Sequence, residues 1–202
     1  MTSDSLHPLS LKAEGLRKAL HLVALVVPIM LTLFPPDLSR AFFGVSAVIA
    51  ASIDASRAFL PKIARMVDNL FGFMMRASER DTAQGVVLNG ATWVLITAAL
   101  LAWWPDVRSA GWIFAAFMLA DAAAALVGRS VGRVHWLGTS RTVEGSLAFA
   151  ITCALTLAIG VGATPTVALV VGVMTLAEAL PLPINDNVRV PLIGAAALWF
   201  LS

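Results

Sequence analysis

Charge is scarce in this sequence and thiol nearly absent. Asp, Glu, Lys and Arg make up 13% of its 202 residues, about half the 25% or so usual in soluble domains, while 59% are hydrophobic. An ordinary water-soluble globule is excluded. The 14 Lys and Arg against 12 Asp and Glu, a formal net charge of +2 and a pI near 9.2 exclude both a nucleic-acid-binding basic domain and an acidic disordered tail. Cys153 is the only cysteine, so an intrachain disulfide, a cysteine-based zinc site and a redox pair are all ruled out. Also missing are a Walker phosphate loop, a Rossmann glycine fingerprint, a His-Glu-x-x-His zinc motif and a nucleophile elbow. Nucleotide chemistry here would need a membrane-embedded site of another design.

What the chain does have is long apolar runs. About 20 residues are needed to cross some 30 Å of hydrocarbon, fewer where polar groups line a protein cavity. Seven segments are candidates, at 20–36, 41–60, 85–104, 110–128, 146–162, 164–181 and 189–202, with the last short for a full span. Pro-Pro, Trp-Pro-Asp, Gly-Ala-Thr-Pro and Pro-Leu-Pro-Ile-Asn-Asp-Asn punctuate them. With the N-terminus cytoplasmic, the inner side carries Lys12, Arg17, Lys18, Arg57, Lys62, Arg65, Arg76, Arg80, Arg129, Arg133, Arg141 and Arg189, leaving only Arg40 and Arg108 outside. That bias fits the positive-inside rule. The first apolar run ends in Phe34-Pro35-Pro36 instead of a small-residue cleavage site, so it reads as a retained anchor. Between Pro61 and Gln84, Ile63, Met66, Val67, Leu70, Phe71, Met74 and Met75 follow helical spacing. They predict an amphipathic helix on the inner interface or a hairpin packed on the bundle. The expected fold is therefore all-α: one polytopic membrane domain over 1–202, about seven transmembrane helices and an interfacial helix.

Ionisable groups at membrane depth are costly and usually paired or functional, and here they crowd the inner side. Asp121 lies in the fourth apolar run, on one helical face with Gly128, Arg129 and Gly132; Arg133 and Arg141 follow. Three arginines beside a buried acid suit a polyphosphate with a divalent metal, because guanidinium forks phosphate oxygens and carboxylate holds the ion. A basic loop obeying the topology rule, with Asp121 paired to a neighbouring helix, would show the same residues. Thr142 is placed to cap the fifth helix with Glu144 in its first turn, and Gly145-Ser146 follow at a helix N-terminus suited to an anion. Glu178 precedes Pro181 and Pro183, which break the chain before Asn185-Asp186-Asn187; Asp186 is a second metal-ligand candidate, or part of a plain turn. Arg17, Lys18 and His21 share a face at the first helix. Asp54 and Arg57, three apart, are placed to pair, and Asn89, Gly90 and Thr92 open the third span. Gly128-x-x-x-Gly132 would pack helices within one chain or between two.

Read together and in order, Arg17-Lys18-x-x-His21, Asp54-x-x-Arg57, Asn89-Gly-Ala-Thr92, Asp121-Ala-x-Ala, Gly128-Arg-x-x-Gly132-Arg, Thr142-Val-Glu-Gly-Ser146, Ala177-Glu-Ala, Asp186-Asn187 and Pro191 resemble a known pattern. The chain resembles the CTP-dependent lipid kinases, which include dolichol kinase, phytol kinase and the CTP-using diacylglycerol kinase and are distantly similar to phosphatidate cytidylyltransferases. It departs from them at Ala120-Asp121, where Gly-Asp is common, and at Arg141-Thr142, where Lys-Ser or Lys-Thr is frequent. The second exchange keeps the cation and changes its donor geometry.

The resemblance implies transfer of the γ-phosphoryl group of CTP to the hydroxyl of a membrane alcohol such as a polyprenol, phytol, farnesol or diacylglycerol, at the cytoplasmic face. It implies Mg²⁺ held by Asp121 and Asp186 with Glu178 in support, and catalytic roles for Asp121, Asp186, His21 and Lys18. Arg17, Gly128, Arg129, Gly132, Arg133, Arg141, Glu144, Gly145 and Asn187 would bind the nucleotide. The expected partners are CTP, the lipid alcohol and the bilayer, with no nucleic acid. Two other functions fit the same residues: cytidylyl transfer from CTP to a lipid phosphate, or a membrane transporter or scramblase.

Overall fold

A computed structural model describes residues 23–72, 75, 77–80, 85–136 and 139–202. Arg17, Lys18 and His21 lie outside them. The elements are α1 (Val26–Leu33), α2 (Pro36–Phe59), α3 (Pro61–Phe71), α4 (Ala77–Arg80), α5 (Gly90–Leu101), α6 (Val107–Ser130), α7 (Val143–Gly160), α8 (Pro165–Ala179) and α9 (Asp186–Leu201). Among the described residues there is no strand, only an isolated bridge between His135 and Thr142.

Punctuation in the sequence sets the helix ends. Prolines begin α2, α3 and α8, where the missing N–H costs nothing. Asn89, Asp106, Thr142 and Thr164 each accept a hydrogen bond from a backbone amide in the first turn of α5, α6, α7 and α8.

The α6 helix is the centre of the bundle. Ala110, Gly111, Ile113, Phe114, Ala116, Phe117, Met118 and Ala120 are all buried, so it presents core on every side, as a helix enclosed by others must. It packs against α7 most extensively, and against α1, α9 and α5. Phe149 and Cys153 of α7, Val170 and Met174 of α8, and Val190 of α9 complete the core; the Cys153 thiol lies 3.8 Å from the Met174 sulfur. The helix surfaces facing away from this core are apolar as well. Leu147, Ile151, Leu155 and Ile159 form an exposed stripe along α7, and Val45, Val48, Ile49 and Ile53 another along α2. Contiguous exposed apolar stripes of this kind mark a surface made to be covered by something other than water.

Among the described residues, three helices are long and apolar enough to cross a membrane: α2, α6 and α7. That is fewer than the seven expected. The physical reason is where the ends fall. A 12-residue α5 and a 15-residue α8 span only about 18 and 22 Å at 1.5 Å per residue. The α5 helix begins at Gly90 because Asn89 caps it, leaving 85–89 irregular, and Pro181 and Pro183 keep 180–185 out of any helix. The described part of the first apolar run contributes the 8-residue α1, and the last contributes the 16-residue α9, with Pro191 inside it.

The amphipathic segment is a helix over Pro61–Phe71, shorter than expected. Val67 is buried while Met66, Leu70 and Phe71 remain exposed. Asp68 and Arg80, 2.6 Å apart, tie α3 to α4.

Close packing on α6 depends on glycine. A Cβ on Gly111 would stand 2.6 Å from the Thr32 methyl, 3.1 Å from the Thr32 nitrogen and 3.3 Å from the Pro28 carbonyl oxygen. Two of those neighbours are backbone and cannot rotate away. Gly111→Ala is therefore expected to destabilise the protein by about 1–3 kcal/mol, the usual range for overpacking, seen as a lower Tm in detergent.

Candidate functional site

The contacts between helix ends sort those of α2 and α5–α9 into two sets. At one end the start of α2 meets the end of α5, where Arg40 donates to the Ala102 carbonyl at 3.2 Å and stacks 5.1 Å over the Trp103 ring. The start of α8 and the end of α9 meet there too, through Thr166 and the Leu201 carbonyl. At the other end the chain gathers the C-terminal turns of α2, α6 and α8 and the N-terminal turns of α5, α7 and α9. Every described acid and arginine singled out in the sequence for chemistry lies at this second end.

Two clusters form there. The first surrounds Asp54, which is fully buried. Its carboxylate accepts from the Arg57 guanidinium at 2.9 Å, from the Asn89 side-chain amide at 2.9 Å and backbone amide at 2.8 Å, and from the Thr92 hydroxyl at 2.7 Å. Arg57 in turn donates to the Glu79 carbonyl at 2.7 Å. A buried charge is tolerable only with this degree of pairing. The pairing expected from the i, i+3 spacing of Asp54 and Arg57 is present, and Asn89 and Thr92 complete it.

The second cluster joins the loop before α7, the end of α8 and the start of α9. Arg141 lies 3.1 Å from Glu178 and also pairs with Asp186. Arg189 pairs with the other oxygen of Asp186 and donates to the Leu180 carbonyl at 2.9 Å; Arg141 approaches the same carbonyl at 3.4 Å. Leu180 caps α8, so its carbonyl belongs to the unpaired last turn and carries the negative end of the helix dipole. Asp121 and Asp186 both lie within electrostatic reach of Glu178. Three of the expected acids and one of the three expected arginines are thus brought together. Arg189 joins them, a residue that counts in the sequence only as an inner-side cation although its i, i+3 spacing from Asp186 marks the pair.

The remaining candidates are close by but differently engaged. Arg129, in the last turn of α6, and Arg133, just beyond it, are both exposed. The Glu144 carboxylate accepts from the backbone amides of Arg133 at 3.0 Å and Val134 at 3.3 Å, holding that loop to the start of α7. Trp136 donates from its indole to the Ser146 hydroxyl at 3.0 Å. Gly128 and Gly132 pack within the chain: a Cβ on Gly128 would stand 2.9 Å from the Thr142 hydroxyl and 3.7 Å from the Gly145 Cα, and one on Gly145 would stand 3.0 Å from the Ala124 carbonyl. These glycines let α6 and α7 approach at their polar ends. Asn187 offers its carbonyl to the Thr97 hydroxyl at 2.7 Å.

Among the described residues, no three His, Cys, Asp or Glu side chains are grouped to hold one metal ion. Both oxygens of Asp186 face guanidinium groups and Glu178 faces Arg141. In this arrangement the acids are committed to arginine, and they do not form a cation site by themselves.

Removing Asp54 would strand the buried Arg57 and leave Asn89 and Thr92 without their acceptor. Asp54→Ala is expected to cost about 3–5 kcal/mol, as for other broken buried ion pairs, and Asp54→Asn less. Thermal unfolding in detergent would measure both.

Compared with known proteins, the chain matches no family model, no curated protein and no solved structure.

Proposed function

We propose that this protein transfers the γ-phosphoryl group of CTP to the hydroxyl of a membrane-dissolved alcohol, with the chain crossing the bilayer about seven times and the polar end of the bundle facing the cytoplasm. The observation that carries the reading is the convergence of Arg141, Glu178, Asp186 and Arg189, with Asp121 in electrostatic reach, where helices end and backbone becomes irregular. Irregular backbone at membrane depth is tolerated where it lines a cavity. The resemblance in motif order supplies the nucleotide and the reaction class.

Each residue has a task in that reaction. Arg141, with the exposed Arg129 and Arg133 at the mouth, neutralises the triphosphate, whose three equatorial γ-oxygens gather charge in the transition state. The alcohol oxygen forms a bond to the γ-phosphorus as the bond to the bridging oxygen breaks and CDP leaves. A carboxylate of the cluster accepts the hydroxyl proton. An apolar tail reaches the site sideways between helices, past exposed apolar side chains, so the lipid never crosses water. The family's divalent cation would supply further charge neutralisation at the phosphates when bound with the nucleotide.

The test uses purified protein in liposomes with γ-labelled CTP or ATP, Mg²⁺ and a panel of prenols, phytol and diacylglycerol. Labelled lipid monophosphate is expected with CTP. It should fall by about 10²- to 10³-fold in Asp121→Asn, Asp186→Asn and Arg141→Gln, the loss seen when one preorganised charge-stabilising group is removed. A CDP-lipid and pyrophosphate as products would replace the kinase reading with cytidylyl transfer; no nucleotide binding would favour transport.

A further inference from the structure

The α3 helix carries more apolar surface than the bundle covers. Its apolar residues read as one stripe in the sequence, and the structure divides them. Val67 is buried and Ile63, one turn before it, is half-buried, while Met66 and Leu70 are 54% and 58% exposed. The exposed pair belongs to a face of its own: Lys62, Arg65, Met66, Asn69 and Leu70 stand at i, i+3, i+4, i+7 and i+8, and all five are exposed. A concavity of about 530 Å³ lies along that face, walled among the described residues by these same five side chains. It therefore offers two cations and an amide beside two apolar side chains. The acid of the helix does not cancel that charge. Asp68 is held by Arg80 at 2.6 Å, whereas Arg65 reaches the Pro61 carbonyl at 3.4 Å, a marginal hydrogen bond.

The preceding helix sets the depth. The 24 residues of α2 span about 36 Å against about 30 Å of hydrocarbon. Its exposed stripe of Val45, Val48, Ile49 and Ile53 runs on to Phe59 and Leu60, where Pro61 starts α3. From this placement we propose that the outward face of α3 is a binding site for an anionic phospholipid. Lys62 and Arg65 hold the headgroup phosphate, Asn69 donates to it, and Met66 and Leu70 take the upper methylenes of the acyl chains. A helix facing water would not set Met66 and Leu70 beside its cations, and one packed wholly on the bundle would bury them. A helix at the headgroup boundary uses both, because long cationic side chains reach the phosphates over an apolar flank. A choline headgroup brings its own cation, so a lipid with net negative charge is the better match for Lys62 and Arg65. The site lies apart from the arginines around Asp186 and is independent of the nucleotide reading.

The probe is dihexanoyl phosphatidylglycerol, titrated into the full chain in non-ionic detergent by calorimetry, with the matching phosphatidylcholine, glycerol 3-phosphate and inorganic phosphate in parallel. Phosphatidylglycerol is expected to bind saturably and at least tenfold more tightly than phosphatidylcholine. Lys62→Gln and Arg65→Gln should each weaken it about fivefold, the worth of one cation at an anionic lipid surface, and together bring it to the level of phosphatidylcholine. Met66→Ser with Leu70→Ser should weaken both lipids and leave their ratio unchanged. Arg108→Gln, the same change of charge in the first turn of α6 at the opposite end of the bundle, should leave both affinities as they are. Equal binding of the two lipids, a preference that survives the Lys62→Gln, Arg65→Gln pair, or an equal loss in Arg108→Gln would overturn the site. Glycerol 3-phosphate or inorganic phosphate binding as tightly as the lipid would make the face a small-anion site and overturn the lipid assignment. Nucleotide is absent throughout, so each outcome stands apart from the phosphoryl-transfer test.

Discussion

A carboxylate removed from water must be surrounded by donors, and that requirement organises one whole end of this bundle. Asp54 draws Arg57, Asn89 and Thr92 around it, and in doing so fixes where α5 begins and how α2 ends. Asp186 draws Arg141 and Arg189 and fixes the loop before α7 against the ends of α8 and α9. Without these pairings the polar groups would hold the helix ends apart. With them, the shorter α5, α8 and α9 are tied to the longer α2, α6 and α7.

The same requirement explains the division of labour along each helix. The middles are apolar on all sides: core against α6, and broad exposed stripes of Leu, Ile and Val facing outward. The polar residues are displaced to the turns, where unpaired backbone groups already need partners. Small residues complete the design. Gly128, Gly145 and Gly111 permit helix approaches that any side chain would prevent, and the ends converge closely enough for single arginines to bridge two or three segments.

Much of this was legible in the residues themselves. The apolar runs located the helices, and Thr142 and Pro165 stand at the starts where the sequence puts them, whereas the second and third runs, read from 41 and 85, begin as helices at Pro36 and just after Asn89. The spacing of Asp54 and Arg57 foretold their pair because i, i+3 neighbours share a helix face. Helix length was less legible: hydropathy reports that 85–89 and 180–185 are near apolar segments, and only the capping geometry shows that they are not helical. The meeting of Arg141 with Glu178 and Asp186 was not written in any local pattern, since it joins residues 37 and 45 apart in sequence. Arg189 is inconspicuous for a related reason. In the sequence it stands as one basic residue on a basic side, its i, i+3 spacing from Asp186 being the single local signal; its burial then sets it apart from the exposed Arg129 and Arg133.

The carbonyl of Leu180 gives the second cluster a property that its carboxylates lack. The carboxylates of Asp186 and Glu178 sit on side chains that can rotate about their own bonds. A peptide carbonyl at the end of a helix is held in place by the helix itself and carries the negative end of its dipole. Arg189 therefore has one partner whose position is set by the backbone of α8, so the start of α9 stays moored to the end of α8 whichever way the side chains of the cluster turn.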